Sequence, residues 1–191
     1  LMLFFCQMAH SQGPQGYLKK VFRVNFMNPG IEIELPVYTQ STLSINPGLG
    51  YGISYPGLSY AVPNGWIYMV SPFFDVQYKH IYNQHKRVLK DQTVEFNGGN
   101  FWGLRFLTRG KSLASNFSRK TNYDFSLMPM WGIQRSYRHI HLLFDVGPVY
   151  YFDTEGNSGF FPLVFEINVG IDFGFLDPDC PCHKQKRPRW K

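Results

Sequence analysis

Apolar and polar residues alternate along most of this chain, and the clearest example covers residues 163–173. Every odd-numbered position there is a large apolar residue, whereas the even positions include Glu166, Asn168, Gly170 and Asp172. A period of two is typical of a β-strand whose two faces differ. A dry core does not accept unpaired acids. The pattern therefore predicts a strand with one face toward lipid and the other toward a polar interior.

The same alternation recurs often enough to predict eight strands. Several of them exceed the roughly 9–11 residues that a strand needs to cross a bilayer. The polar connection 83–97 is expected to hold a strand extension or a small helix, and 109–122 is expected to be a loop. We predict an all-β fold, an eight-stranded antiparallel up-and-down transmembrane β-barrel with a polar interior. The predicted strands cover about 20–27, 31–37, 42–55, 66–82, 98–108, 123–134, 139–152 and 163–173.

Nine charged residues fall on the predicted inward faces, and acids outnumber bases among them. Since side chains fill the interior of a small barrel, these charges need partners. The plain interpretation is a structural ion-pair network; the alternatives are a proton or ion path or a catalytic acid pair. The nine residues are Arg23, Glu32, Glu34, Asp75, Lys79, Arg105, Asp145, Glu166 and Asp172.

Aromatic residues make up 18% of the chain, and many Tyr and Trp residues fall toward the predicted strand ends. This placement is typical of the aromatic girdles at the two membrane interfaces. Four outward prolines, each lacking a ladder donor, are expected at bulges or strand ends: Pro47, Pro72, Pro129 and Pro148. The predicted girdle residues are Tyr51, Tyr55, Trp66, Tyr78, Trp102, Tyr123, Trp131 and Tyr150.

The two ends of the chain differ from the alternating part. Residues 1–11 are apolar and end in Ala9-His10-Ser11, a pattern that predicts the remnant of a secretory signal peptide. We expect a periplasmic lead-in over 12–19, the barrel over 20–175 and a basic tail over 176–191. The formal net charge is +6, and five of the positive charges lie in 184–191, as in a solvated tail.

Four stretches of the chain resemble a known family of small barrels. They are 71–79 (SPFFDVQYK), 97–105 (NGGNFWGLR), 128–135 (MPMWGIQR) and 144–150 (FDVGPVY). In these stretches the chain is similar to the small eight-stranded outer-membrane barrels of Bacteroidetes-type bacteria, over about residues 20–175. The resemblance implies a fold and an outer-membrane location and supplies no activity.

Candidate chemistry is sparse. His139 and His141 are spaced to share one strand face, but no third metal ligand is fixed, and we expect no metal and no cofactor. No G-x-S-x-G element or convincing catalytic triad is present, so we expect no catalytic residues. A loop cluster of Arg109, Lys111, Arg119 and Lys120 is a candidate contact for lipopolysaccharide phosphates; the alternative is a solvated charged loop.

The resulting hypothesis is a non-enzymatic, monomeric outer-membrane protein with a structural, adhesive or accessory binding role through its loops. Its expected partners are outer-membrane lipid and lipopolysaccharide, with no nucleic acid and an undefined loop partner. One alternative is a soluble exported barrel that binds an apolar ligand, as lipocalins do. Another is a lipid-modifying enzyme of the outer membrane.

Overall fold

A computed structural model describes residues 18–54, 67–116 and 121–174, which form one antiparallel sheet. The predicted signal peptide and basic tail, most of the lead-in, and the girdle residues Tyr55 and Trp66 lie outside the described residues. So do Arg119 and Lys120 of the predicted basic loop cluster.

The described chain is all-β apart from two short helical turns between the fourth and fifth strands. These turns are α1 (Gln84–Val88) and a 3₁₀ turn (Glu95–Asn97), so of the two alternatives expected for this connection, a strand extension or a small helix, the small helix is present. Within the described ranges, no helix has the length and apolarity needed to span a membrane. The strands are β1 (Val21–Asn25), β2 (Gly30–Tyr38), β3 (Ser41–Ser54), β4 (Ile67–Ile81), β5 (Gly99–Arg109), β6 (Ala114–Ser115), β7 (Asp124–Tyr137), β8 (Ile140–Asp153) and β9 (Ser158–Gly174).

Eight of these strands pair into a closed ring. The order around it is β1, β2, β3, β4, β5, β7, β8, β9, and β9 returns to β1 through register pairs from Val21 with Gly174 to Asn25 with Gly170. The predicted all-β, eight-stranded antiparallel arrangement is confirmed. The two-residue strand β6 pairs with β4 near Val70. It was missed because residues 109–122 carry too short an apolar pattern to predict a strand.

Burial follows the predicted alternation. In β4, the inward residues from Ser71 to Ile81 are buried at every second position, and the residues between them are half-buried or exposed. The inward and outward faces of the other long strands agree with the sequence pattern in the same way. Strand β1 ends at Asn25, two residues earlier than predicted, because residues 26–29 form the turn into β2.

The outward prolines lie where strand pairing is interrupted. The β8–β9 register shifts by one between Gly147 and Val149, so the bulge expected near Pro148 is present, with its extra residue on β9 opposite Pro148. Pro72 lies inside β4, just beyond the end of the β4–β5 ladder, and not at the strand end expected for it. Pro47 and Pro129 fall instead in gaps of the β2–β3 and β7–β8 ladders. The register is the same on both sides of each gap, so the bulge expected at these two positions is wrong. Flanking pairs hold the register although proline supplies no donor.

The ring has two distinct ends. The end where β1 begins and β9 finishes, here called the terminal end, carries the short turns 39–40 and 138–139. The opposite end, here called the loop end, carries the turns 26–29 and 154–157 and the connection 110–123. The α1 connection lies at the terminal end, where the Gln134 side chain donates hydrogen bonds to the carbonyls of Phe96 and Asn97.

Candidate functional site

The interior near the terminal end is filled by an ion-pair layer of Arg23, Glu32, Glu34, Lys79 and Asp172. The Arg23 guanidinium is 0% exposed and contacts three carboxylates. Its Nη1 lies 2.8 Å from Glu32 Oε1, its Nη2 lies 3.1 Å from Glu34 Oε2, and its Nε lies 2.6 Å from Asp172 Oδ1. Strand β1 lies between β2 and β9, so Glu32 and Asp172 are the register partners of Arg23 on its two sides.

Hydrogen bonds satisfy the remaining oxygens of this layer. Thr42 Oγ1 donates to Glu34 Oε1 at 2.7 Å, and Asn25 Nδ2 donates to Glu32 Oε2 at 3.0 Å. The Ser136 hydroxyl donates to Asp172 Oδ2. Buried ion pairs are tolerated when further hydrogen bonds complete them, and that condition is met here.

Lys79 is the second cation of the ion-pair layer and is fully buried. Its Nζ lies 3.3 Å from Glu32 Oε1, 3.9 Å from Glu34 Oε2 and 2.9 Å from Gln134 Oε1. The layer thus holds two cations against three carboxylates, which leaves a formal charge of −1 within it.

A second ion-pair group lies further toward the loop end. Arg105 binds Asp75 through two contacts, Nε to Oδ1 at 2.9 Å and Nη2 to Oδ2 at 2.8 Å, and its Nη1 donates to Glu166. Such two-point pairing fixes the plane of the guanidinium. Gln77 Nε2 donates to Asp75 Oδ2 at 2.7 Å. Arg105 and Glu166 together form what we call the floor.

Asp145 is the exception among the nine predicted interior charges. The other eight form ion pairs with one another, whereas Asp145 is 0% exposed and forms none within the described residues. Neither of its carboxylate oxygens accepts a hydrogen bond from that part of the chain. Its register partner on β9 is Glu166, so this uncompensated carboxylate lies beside the floor.

Above the floor, toward the loop end, the interior opens into a cavity of about 710 Å³. The expectation that side chains fill the whole interior is therefore wrong for this part of the ring, because Gly50, Ser71 and Ser126 supply little side-chain volume there. A single cavity of this size lies within the usual range for small-molecule sites. Its apolar wall residues are Met69, Phe73, Leu107, Met128, Val149, Phe161 and Val164.

The rim of the cavity is polar. Arg109 of β5 lies opposite Asp124 of β7 in register, and both line the opening. Asp153, also at the rim, accepts hydrogen bonds at 2.9 Å from the backbone N–H groups of Glu155 and Asn157. These bonds hold the β8–β9 turn in place, so one side of the opening has a defined shape.

The predicted girdle residues that the structure describes fall into two groups. Tyr78, Trp102 and Trp131 lie on the adjacent strands β4, β5 and β7, with the Tyr78 and Trp102 rings 6.4 Å apart. Trp131 Nε1 donates to the hydroxyl of Tyr82 at 3.0 Å. Except for the half-buried Tyr78, these predicted residues are exposed. The second group, toward the loop end, is also exposed and comprises Tyr51, Tyr123 and Tyr150.

The two histidines that were expected to share a strand face are separated. His139 lies in the turn before β8, whereas His141 is inward and buried, with Nδ1 3.5 Å from Asp172 Oδ2. In the described ranges, no three His, Cys, Asp or Glu side chains are grouped in a way that could hold a metal ion.

Comparisons with known proteins add nothing to this geometry. No protein-family model, curated protein or solved structure matches the chain. The resemblance to the small outer-membrane barrels stays a prediction.

Proposed function

We propose that this chain is an integral outer-membrane β-barrel with a structural or accessory binding role, exercised through its loops and the loop-end cavity. The observation that carries the proposal is an inverted distribution of polarity. Arg23, Glu34 and Asp75 are 0% exposed inside the ring, whereas Phe165 and Ile167 on its outer surface are 61% and 59% exposed.

The outer apolar surface extends around the ring. Exposed large apolar residues occur on β3, β4, β5, β7, β8 and β9, for example Leu49, Phe74, Leu104, Leu127 and Leu142. Soluble monomers rarely expose contiguous apolar patches larger than a few hundred Å². A lipid environment removes this difficulty, because the outward face of a transmembrane barrel is an apolar band.

Closure of the ring supports the same proposal. In a bilayer every backbone polar group needs an internal partner, and an open sheet edge is not tolerated. The pairings β3–β4 and β1–β9 leave the eight-stranded ring without an open edge. Two of the three described connections at the terminal end, 39–40 and 138–139, are short, as periplasmic turns are, whereas the α1 connection at that end is longer.

The proposal includes a location, a partner and the absence of catalysis. The loop end would face outward, with Arg109 and Lys111 exposed toward lipopolysaccharide phosphates. We propose a monomer, because the ring closes on itself without a second copy. No catalytic role is proposed, since the interior acids are either paired with arginine or lysine or, for Asp145, shielded from solvent.

A soluble exported ligand-binding barrel is the second candidate, and the apolar cavity wall is the observation that favours it. The two candidates share an interior binding site and differ in the medium around the outer surface. Fractionation of the expressed full chain separates them. The outer-membrane proposal expects recovery in the outer membrane and a gel band whose mobility changes on boiling. Recovery in the soluble periplasmic fraction would overturn it and leave the second candidate.

A further inference from the structure

We propose that the loop-end cavity binds a small organic cation, an amine with a compact apolar body, with its charged group at the floor beside Glu166, whose register partner is Asp145. The inference rests on the binding role proposed above and names the ligand class that this interior favours. Three independent observations support it: the wall of the cavity, the charge balance of the interior and the kind of polar atoms left without partners.

The residues that line the cavity favour a ligand with an apolar body. Phe73, Leu107, Met128, Val149 and Val164 line the cavity between the polar rim and the floor. Binding sites for small molecules commonly combine such walls with a few placed polar groups. Methionine and aromatic side chains also provide polarisable surfaces that attract a cation. A wholly polar ligand would leave this wall without a matching partner.

The formal charge of the inward-facing residues favours a cationic ligand. Among the nine inward charged residues, three are cations and six are carboxylates, a formal excess of three negative charges. At the floor, Arg105 faces Asp75 and Glu166, and Asp145 lies beside them with no ion pair to a described residue. Charges interact more strongly in a poorly hydrated interior than in water. An anionic head group would be repelled here, and an ammonium group would be attracted.

Most of the unpartnered buried polar atoms are hydrogen-bond acceptors, which favours a ligand that donates. Buried carbonyl and carboxylate oxygens without partners in the described chain belong to Asn25, Asn46, Gln77, Gln84, Asn168 and Asp145, and the unpartnered hydroxyls of Ser44 and Ser71 can donate or accept. The amide nitrogens of Asn25 and Gln77 already donate to Glu32 and Asp75, which fixes these amide oxygens as acceptors.

The acceptors nearest the floor are on β8 and β9. Asn168 is two positions from Glu166 on the same face of β9, and Asp145 is the register partner of Glu166. Buried acceptors are normally satisfied, and an ammonium group offers three donors and no acceptor. Of Glu166, Asn168 and Asp145, only Glu166 lines the cavity, so a primary amine placed at Glu166 supplies a positive charge and donors on the side of the interior that lacks them.

Three probes of similar size and different charge test the proposal. The full-length protein, refolded in nanodiscs of neutral phospholipid, is titrated calorimetrically with 2-phenylethylammonium, 2-phenylethanol and 3-phenylpropionate, with empty nanodiscs as the blank. We expect the amine to bind on the order of tenfold more tightly than the alcohol, and the carboxylate to bind most weakly. Equal affinities, or tighter binding of the carboxylate, would overturn the inference.

Variants locate the binding event. Glu166→Gln and Asp145→Asn should each weaken amine binding on the order of tenfold while leaving the alcohol unchanged. Met128→Trp, which fills the cavity, should abolish binding of both probes, and Phe165→Leu on the outer face should change neither. The heat-modifiable gel band checks that each variant folds. Unchanged amine binding in Met128→Trp would place the binding elsewhere and refute the proposal.

The last experiment is a competition between the amine and an inorganic salt. If sodium or potassium chloride at the probe concentration displaces the amine, the site recognises a simple cation and the apolar wall has no role, which overturns the proposal. Failure here is distinguishable from failure of the outer-membrane proposal. A protein that enters the outer membrane but does not bind the amine refutes only the ligand, whereas a soluble protein that binds it refutes only the location.

Discussion

Placing an arginine on the outer surface at mid-height tests whether that surface faces lipid. Ile167 lies within β9, is 59% exposed and pairs with Phe144 of β8. Ile140 is the first residue of β8, is 53% exposed, and precedes Phe144 by four positions. The two isoleucines are therefore matched in type and exposure, and they differ in their distance from the terminal end.

The strand geometry gives the expected magnitude. Four residues along a strand tilted by about 40° correspond to roughly 10 Å along the ring axis. An apolar band about 25 Å tall would place Ile167 near its midplane and Ile140 near its edge. Ile167→Arg should then cost about 2–4 kcal/mol of unfolding free energy, and Ile140→Arg about 0–1 kcal/mol.

The assay is equilibrium unfolding in denaturant of the wild type and both variants, refolded in phospholipid vesicles and followed by tryptophan fluorescence. Reversibility is checked by approaching each transition from both directions. A surface in contact with water would tolerate both arginines to within about 0.5 kcal/mol. Equal, small losses at the two positions would therefore refute the assignment of the outer face to lipid.

Two further predictions concern the interior and the ladder, and the same unfolding assay measures both. Arg23→Met leaves three carboxylates without their shared cation and should lower the free energy of unfolding by about 3–5 kcal/mol. Lys20→Met, an exposed control, should change it by less than about 0.5 kcal/mol. Equal effects of the two substitutions would contradict the ion-pair layer. A methyl group added at Gly147 would clash with the Pro129 carbonyl oxygen, so Gly147→Ala should cost about 1–3 kcal/mol. Gly174→Ala is the control and should be neutral, because the nearest neighbour of its new methyl group would be Phe96 at 3.8 Å. A neutral Gly147→Ala would contradict the close approach of β7 and β8.

The period-two pattern predicted the strand faces because inward and outward side chains alternate whatever the neighbouring strand is. It named Arg23 and Glu32 as members of one network without pairing them, and the tight turn between β1 and β2 sets the register that places them opposite each other. The contact of Arg23 with Asp172 could not be predicted from neighbouring strands in the sequence. It depends on pairing of the first and last strands of the ring, which are far apart in sequence.

Alternation also does not reveal how much space remains inside the ring. The inward positions of β7 are Met128 and Met130 near the floor and Ser126 above them, all compatible with either a filled or an open interior. Only the relative placement of eight strands decides that Gly50, Ser71 and Ser126 come together at the loop end. The cavity therefore follows from packing between distant strands, and a single sequence has no local signal for it.

The two parts of the interior together favour binding over conduction. Arg23 and Lys79 are fully buried; Arg23 binds carboxylates of its two neighbouring strands, β2 and β9, and Lys79 reaches from β4 to Glu32 on β2 and Gln134 on β7. The α1 connection adds a cover at the terminal end through Gln134. A molecule that enters from the loop end therefore meets a closed layer before it reaches the other side. A pocket with one opening can retain a ligand, and its selectivity depends on the residues just above that layer, among them Glu166.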